Sequence, residues 1–510
     1  MERRSDRVIR WLLPTLGGLL ILLAYAFTLF LRKGGLFAGD GDPGRHIRVG
    51  SFIIENRAIP RVDVFSHTMQ GREFIPFEWL SEVLFSAADS LAGLAGVAIL
   101  TGLLFATAVG LTYQAIRRFG VPAPVACAFG VLAFLLQAVH LHPRPHMFTT
   151  ALVALFSLLL LEVRRGGSRR LLLTLPVLMV AWVNLHGGFL VGFILVGIFA
   201  ADALVRWMQT RTSSDARELT LWLFGTLGLC LLASLLNPAG WALWPHTTGY
   251  LGETYLVDFT QEYKSPDFHD TLIKSFLAAL TLGTIVLAQL RTRVDLLGLF
   301  LWVLFAAFAL HSARNIPLFG VVCMPWLAAW TSELLSREDD ANTIGARFWS
   351  WSQGIQRVES TLPGWPVVVI GLALLTVGAV QEGRSGAYVF AEDVFPVAAV
   401  DHLQESGFVP PGPVYNEFIW GGYLLYAWPE VPVFIDGQTD FYGEELTREY
   451  RDIRFLQPGW RESLASRGVE WVLVPPDSPL AAALTLLEDW ALHYSDETAA
   501  VFVSVEPGTS

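Results

Sequence analysis

The chain is short of charge, short of cysteine and free of internal repeats. Charged residues make up 16% of its 510 positions, 53% are hydrophobic, and the mean hydropathy is +0.48. Soluble domains carry about 25% charged residues, so an ordinary soluble protein is excluded and a polytopic helical membrane protein is indicated. The three cysteines, Cys127, Cys230 and Cys323, each fall inside an apolar run. That argues against a disulfide framework or a cysteine metal site and leaves them as small core residues. No small-residue cleavage site follows the apolar run Trp11–Leu31, so it reads as a retained helix rather than a signal peptide. The net charge of −11 carries no nucleic-acid signature. Much of the acidity lies near the C-terminus, while arginines flank apolar spans.

What the chain does have is long apolar runs. They lie near 11–31, 94–116, 121–140, 147–163, 171–185, 188–206, 219–236, 273–290, 295–311, 315–331 and 364–381. At roughly twenty residues per crossing these make about eleven transmembrane helices. The basic residues set the orientation. Arg3, Arg4, Arg7 and Arg10 precede the first span; Arg117 and Arg118 follow the second. Arg164, Arg165, Arg169 and Arg170 lie between the fourth and fifth; Arg206, Arg211 and Arg217 between the sixth and seventh; Arg291 and Arg293 between the eighth and ninth. All fall on one side, which reads as cytoplasmic. The N-terminus is then cytoplasmic and the C-terminal segment lies outside the cytoplasmic membrane.

The polar motifs fall on the other side: GDGDPGRHIR at 39–48, HLHPRPH at 140–146, NLHGG at 184–188, QEYKSPDF at 261–268 and HSARN at 311–315. Loops are polar in any case, but these are rich in His, Arg, Asn and carboxylates where filler tends to Ser and Gly. They predict one shared outer site.

The organisation predicted is a membrane domain over 1–389 and a soluble α/β module over 390–510. The first outer loop, 32–93, is expected to hold an interfacial helix marked by Ile47, Ile53 and Ile54, a small hairpin over Phe65–Phe74 around Gln70-Gly71, and a helix over Pro76–Phe85 with Glu78 near its start. The cytoplasmic loop 332–363 carries an apolar stripe of Ile344, Phe348, Trp351, Ile355 and Val358, the pattern of a surface-lying amphipathic helix. In the outer module, strands are expected at Val431–Ile435 and Val469–Val474, with helical patterns at 395–406 and 478–490.

Asp42 is the first candidate for catalysis. A carboxylate at this depth can deprotonate an acceptor hydroxyl or hold a divalent metal, Mg²⁺ or Mn²⁺; it can equally open a helix as its N-cap. Asp40 is its partner or a loop residue. Arg45 and His46 follow at helical spacing and share its face. Arg48, Arg144, Lys264 and Arg314 are candidates for gripping phosphate, to which guanidinium is matched; the alternative is snorkelling at the lipid boundary. His186 and Asn184 sit at a glycine-containing helix break that suits either close ligand approach or a plain turn. His140, His142 and His146 form a weak metal pattern. Glu262, Tyr263 and Asp267, with Asn315 in the neighbouring outer motif, occupy outer loops. In the outer module Asn416, Trp420, Tyr423, Asp436, Asp440 and Tyr442 make a polar-aromatic group suited to saccharide or peptide recognition, or to a packed α/β edge.

With these residues in view, the chain resembles the GT-C glycosyltransferases, polytopic enzymes that use polyprenyl-phosphate-linked sugars and carry an acidic motif in the first outer loop. It looks most like bacterial membrane proteins with a D-x-x-x-H-I-R-x-G signature, here Asp42, His46, Ile47, Arg48 and Gly50, together with NLHGGF, RNIPLF and WGGYL…FIDG. A fainter similarity joins Asn416–Tyr423 to the W-W-D-Y-G segment of the oligosaccharyltransferase catalytic subunit. That motif's Asp is absent, and HPRPH stands where the family has D-x-D. The resemblance implies inverting transfer from a lipid-phosphate sugar with Asp42 as base, to a glycan, lipid or protein acceptor, among membrane lipids. It fixes no cofactor. The competing readings are a transporter or flippase for lipid-linked saccharides, which would favour inverted repeats, and a scaffold.

Overall fold

The computed structural model describes residues 11–210, 213–250, 254–259, 261–290, 294–337 and 343–505. Arg3, Arg4, Arg7, Arg10, Arg211, Arg291 and Arg293, used above for orientation, lie outside the described residues.

Each expected apolar run is helical. Among the described residues six helices are long and apolar enough to cross a membrane: Leu94–Arg118, His146–Arg164, Gly187–Thr210, Ser214–Ala233, Ala313–Ser336 and Trp365–Arg384. Leu16–Leu31, Ala123–Ala138, Lys274–Gln289 and Leu296–His311 are shorter apolar helices. The run at 171–185 opens as a 3₁₀ turn, Arg169–Leu173, and continues as an α-helix, Thr174–Leu185. The protein is a multi-pass membrane protein. Leu94–Arg118 is central and packs on the helices at 16–26, 123–138, 146–164 and 316–336. Small residues permit this closeness: a Cβ on Gly102 would meet the Tyr25 ring at 2.9 Å, and one on Gly130 would meet Leu20 at 2.6 Å.

The described arginines of the expected cytoplasmic loops pair with carboxylates at one end of the bundle. Arg164 binds Asp202 at 3.0 Å and Asp295 at 2.9 Å, Arg118 pairs with Glu162 at 3.2 Å, and Arg169 pairs with both Asp215 and Glu218, the latter at 2.5 Å. The polar motifs gather at the other end. Helix Ile344–Glu359 forms as expected and keeps its stripe unburied, with Ile344, Trp351 and Val358 exposed.

The first outer loop builds helix Asp42–Asn56, a hairpin closed by the Val62–Glu73 bridge with Gly71 at positive φ in its turn, and helix Trp79–Ala92. The hairpin pairs residues earlier than Phe65 predicts. The helix at 42–56 is less interfacial than expected: Arg45, His46, Ile47 and Ile53 are buried, and only Ile54 of the apolar set is exposed.

The C-terminal region carries a four-stranded sheet in the order β1-β2-β4-β3, from Val414–Asn416 (β1), Trp471–Val474 (β2), Trp490–Ser495 (β3) and Ala500–Ser504 (β4). β1 and β2 are parallel; the other pairs are antiparallel. Two expectations are corrected. Val431–Ile435 is not a strand of this sheet. Pro432 has no N–H to give a ladder, and the segment bonds instead to the first outer loop: Val433 N–H donates to Phe65 O and His67 N–H to Val433 O, both at 3.1 Å. The side chains of Asn416 and Thr68 bond the backbone of Phe434 and Ile435. The helix expected over 478–490 ends at Leu484, because Trp490 begins the edge strand that pairs with Ala500–Ser504.

Candidate active site

Two sequence motifs meet backbone to backbone. Gly41 and Gly44 of GDGDPG press on WGGYL: a Cβ on Gly41 would sit 2.1 Å from Ile419 O, and one on Gly422 would sit 2.2 Å from Gly41 O. In FIDG, a Cβ on Gly437 would overlap Asp42 Oδ1 at 1.7 Å. The C-terminal module therefore closes directly over the start of helix Asp42–Asn56, and Gly437 makes the space the Asp42 carboxylate occupies.

Arg144, from HLHPRPH, is the hub of a first cluster. Its Nη2 donates to Asp40 Oδ1 at 2.6 Å, and its Nε donates to Asp40 Oδ2. Its Nη1 faces Asp42 Oδ2 at 3.1 Å and Glu262 Oε1 at 3.2 Å. Asp40 Oδ1 also accepts the Asp42 backbone N–H at 3.0 Å. Asp40, not Asp42, thus supplies the turn-forming bond, and the helix has no side-chain N-cap. His140 Nε2 lies 3.5 Å from Glu262 Oε2, and His146 Nε2 is spent on the His140 carbonyl at 2.9 Å. Arg314 stacks over Tyr263 at 4.4 Å, and Ala313 N–H bonds Lys264 O at 2.9 Å, which ties HSARN to QEYKSPDF.

The two aspartates respond differently to this guanidinium. Burial works against the Asp40 carboxylate, but the Arg144 charge and hydrogen bonds, with His142, outweigh it and hold Asp40 below the usual range. Asp42 has only one contact with Arg144. Burial, with the charges of Asp40 and Asp436, pushes it up to about 6 against the pull of Arg144 and His46. A carboxyl group poised there is suited to accept a proton near neutral pH.

A second cluster begins on the same helix. Arg45 Nη1 lies 3.5 Å from Glu82 Oε1, its Nε 3.5 Å from Asp436 Oδ1, and its Nη2 donates to Gln438. Tyr442 OH donates to Asp436 Oδ2 at 3.0 Å. His46 Nδ1 faces Glu82 Oε1 at 3.5 Å, and the donor atoms of His46, Glu78 and Glu82 all lie within 4.8 Å of one another. Burial and the neighbouring Glu82 push the Glu78 carboxyl well above its ordinary value. His186 Nε2 faces Glu78 Oε1 at 3.7 Å. His186 Nδ1 takes the Gly188 N–H at 2.9 Å and lies 2.9 Å from Thr149 Oγ1, which itself accepts from Trp182 Nε1 at 2.8 Å. From the C-terminal helix Thr439–Arg454, Asp440 Oδ2 meets His246 Nε2 at 3.2 Å.

The structure thus brings Asp40, Asp42, Arg45, His46, Glu78, Arg144, His146, His186, Glu262 and Asp436 into two adjoining clusters, with Arg314 beside them. Five predicted site residues fall elsewhere, and Asn184 is already spent. Arg48 points to Glu55 at 3.8 Å on another face of its helix, and the Lys264 side chain is exposed. Asn315 Nδ2 bonds the Phe308 carbonyl at 3.2 Å at a helix end. Trp420 is core, donating to Val394 O at 2.7 Å, and Tyr423 packs on Phe390 and Phe395. Asn184 accepts from Trp79 at 2.7 Å and bonds two carbonyls, which ties helix ends together. The sequence reading passed over Glu82, Gln438, His246 and Gly437. Glu82 was within reach: it follows Glu78 by four residues, one helical turn on the same face.

Solved structures match the chain along most of its length. ArnT from Cupriavidus metallidurans bound to undecaprenyl phosphate matches with TM-score 0.53 and 18% identity over 98% of each chain. The same protein in the apo state matches with TM-score 0.52 and 16% identity over 99% of each chain. The apo Archaeoglobus fulgidus oligosaccharyltransferase matches with TM-score 0.57 and 11% identity over 90% of this chain and 69% of its own. No family profile and no curated protein matches the chain. The chain shares the polytopic helical fold of these structures.

Proposed function

We propose that this protein is a membrane glycosyltransferase that moves a sugar from a polyprenyl-phosphate donor to a hydroxyl-bearing acceptor at the outer face of the cytoplasmic membrane. The observation that carries the proposal is Asp42: a half-buried carboxyl pushed up to about 6, at the meeting point of three polar motifs and the C-terminal module. ArnT supports the donor class, since its matching structure holds undecaprenyl phosphate. The location at the outer face, which rests on the arginine distribution, and the division into 1–389 and 390–510, which rests on the change of composition near 390, belong to this proposal.

In the reaction proposed, Asp42 takes the proton of the acceptor hydroxyl as its oxygen attacks the anomeric carbon. The bond from that carbon to the phosphate oxygen breaks, its electron pair leaves with the phosphate, and the configuration inverts. Arg144 cannot serve as a free phosphate grip, because Asp40, Asp42 and Glu262 surround it. Arg314, held against the Tyr263 ring rather than by a carboxylate contact, is the better placed cation for the leaving phosphate.

A transporter reading would place charge at mid-bundle in paired broken helices; here the carboxylates cluster at one end. The test is a panel of radiolabelled polyprenyl-phosphate sugars offered to membranes with and without this chain. Label moving to an acceptor supports the transferase. Label crossing the bilayer without transfer overturns it in favour of a flippase.

A further inference from the structure

We propose that His46, Glu78 and Glu82 form a site for one divalent cation of the Mn²⁺ or Zn²⁺ class, separate from the Asp40–Asp42 pair. Three observations carry it. First, the donors are gathered: one imidazole nitrogen and two carboxylates lie within 4.8 Å of one another, a spacing that two metal–ligand bonds of about 2.0–2.2 Å nearly span. Second, two of these buried groups hold atoms with no hydrogen-bond partner. His46 and Glu82 are 5% and 2% exposed, and His46 Nδ1 and Glu82 Oε2 are both unpartnered. Buried polar atoms are normally satisfied, and an ion is one of the few things that satisfies a nitrogen and a carboxylate oxygen at once. Third, the charge is unbalanced. Glu78, Glu82 and Asp436 surround the single guanidinium of Arg45. Buried carboxylates in excess are paired or coordinate metal.

The neighbouring groups fit as support rather than as ligands. His186 Nδ1 accepts the Gly188 N–H, so it carries no proton and the ring N–H is on Nε2, facing Glu78. That assigns His186 to orienting a ligand carboxylate from behind. The His46 ring is stacked on Phe85 with centroids 6.3 Å apart, which restrains its orientation.

The Asp40–Asp42 pair does not fit a metal. The space between those carboxylates is filled by the Arg144 guanidinium, whose nitrogens reach both of them and Glu262. An imidazole beside two carboxylates suits a first-row ion better than Mg²⁺. Bound there, the cation would supply fixed positive charge about one helical turn from Asp42, since His46 is the fourth residue on.

The experiment uses the full chain in detergent, loaded with Mn²⁺, desalted and assayed for bound metal. Electron spin-echo spectroscopy of the wild type then reads whether a histidine nitrogen is coordinated, which needs no variant. One Mn²⁺ per chain with nitrogen coupling is expected. His46→Gln and Glu82→Gln should weaken binding by at least about tenfold, while Asp42→Asn and Asp40→Asn retain it. A wild type that takes up no ion, or whose Mn²⁺ shows no nitrogen coupling, overturns the proposal. So does binding that survives in His46→Gln and is lost in Asp42→Asn, which would place the metal on the acidic pair. The site does not depend on the transferase reading, because bound metal is measured without turnover.

Discussion

One helix carries two acidic clusters that solve the same electrostatic problem in different ways. At its first turn, Asp40, Asp42 and Glu262 surround Arg144, and the guanidinium reaches all three. One turn on, His46, Glu78 and Glu82 leave a buried nitrogen and a buried carboxylate oxygen without hydrogen-bond partners. In the first cluster the guanidinium fills the space between the carboxylates, and its uneven contacts leave one carboxyl, Asp42, raised. In the second, Arg45 reaches Glu82 and Asp436, while the donor atoms of His46, Glu78 and Glu82 face one another. A guanidinium in place gives a fixed environment, and facing donors give room for a ligand. The proton-handling group and the proposed cation site thus stay separate though they share a helix.

The largest effect that breaks this comparison is loss of the hub. Arg144→Met leaves the buried Asp40 and the half-buried Asp42 and Glu262 without their counter-ion. It should destabilise the solubilised protein by about 3–5 kcal/mol and abolish transfer. Thermal unfolding read beside label transfer checks both. If Arg144→Met unfolds near the wild-type temperature, the first cluster is not held as described.

Gly437→Ala comes next. Its Cβ would take the position of Asp42 Oδ1 at 1.7 Å, so Asp42 must turn away. Overpacking of this kind costs about 1–3 kcal/mol, and we expect kcat to fall by about 10²-fold with little change in KM, since displacing a reacting group by about 1 Å has that effect. A KM-only defect would show that Gly437 shapes binding rather than the base.

The pH dependence is smaller and more specific. The acid limb of kcat/KM should titrate near 6, as Asp42 loses its proton to become the base. Asp40→Asn removes a neighbouring negative charge and frees Arg144 for Asp42, so the limb should move to lower pH. The stability sign is opposite to that of an ordinary salt-bridged Asp. Because the Asp42 value is raised on folding, its contribution is fully present below about 3.9, the unfolded value, and is lost as pH rises through about 6. A limb unmoved in Asp40→Asn would detach the titration from Asp42.

Arg48→Gln should do least. It lies on the same helix but faces Glu55, with Glu55 largely exposed. Stability should stay within about 0.5 kcal/mol and transfer within about twofold, the same protein serving both assays. A large loss of transfer would return Arg48 to the substrate.

The membrane helices were legible because a long apolar run has one solution in lipid, and each of the eleven expected runs near the positions given is helical. Asp40, Asp42, Arg144 and Glu262 were legible as candidates because charge at the ends of such runs needs a reason. Their grouping was not, since Arg144 and Glu262 lie 104 or more residues from Asp40 in sequence. Trp420 and Tyr423 misled because aromatic residues serve cores and binding surfaces equally well, and only the Phe390 and Phe395 rings beside Tyr423 decide between them. Val431–Ile435 misled because β-propensity says nothing about partners: its backbone bonds run to Phe65 and His67 rather than to the sheet. Gly437 gave no signal beyond an ordinary turn, because its role lies in what approaches it.

The most direct test of the account is single-turnover transfer by purified wild type and Asp42→Asn with a matched polyprenyl-phosphate sugar, with donor binding measured on the same samples. Asp42→Asn is expected to bind donor within a few-fold of wild type and to transfer at least about 10³ times more slowly, the size of effect a lost general base produces. Transfer at the wild-type rate by a folded Asp42→Asn would contradict it and return this residue to holding Arg144 in place.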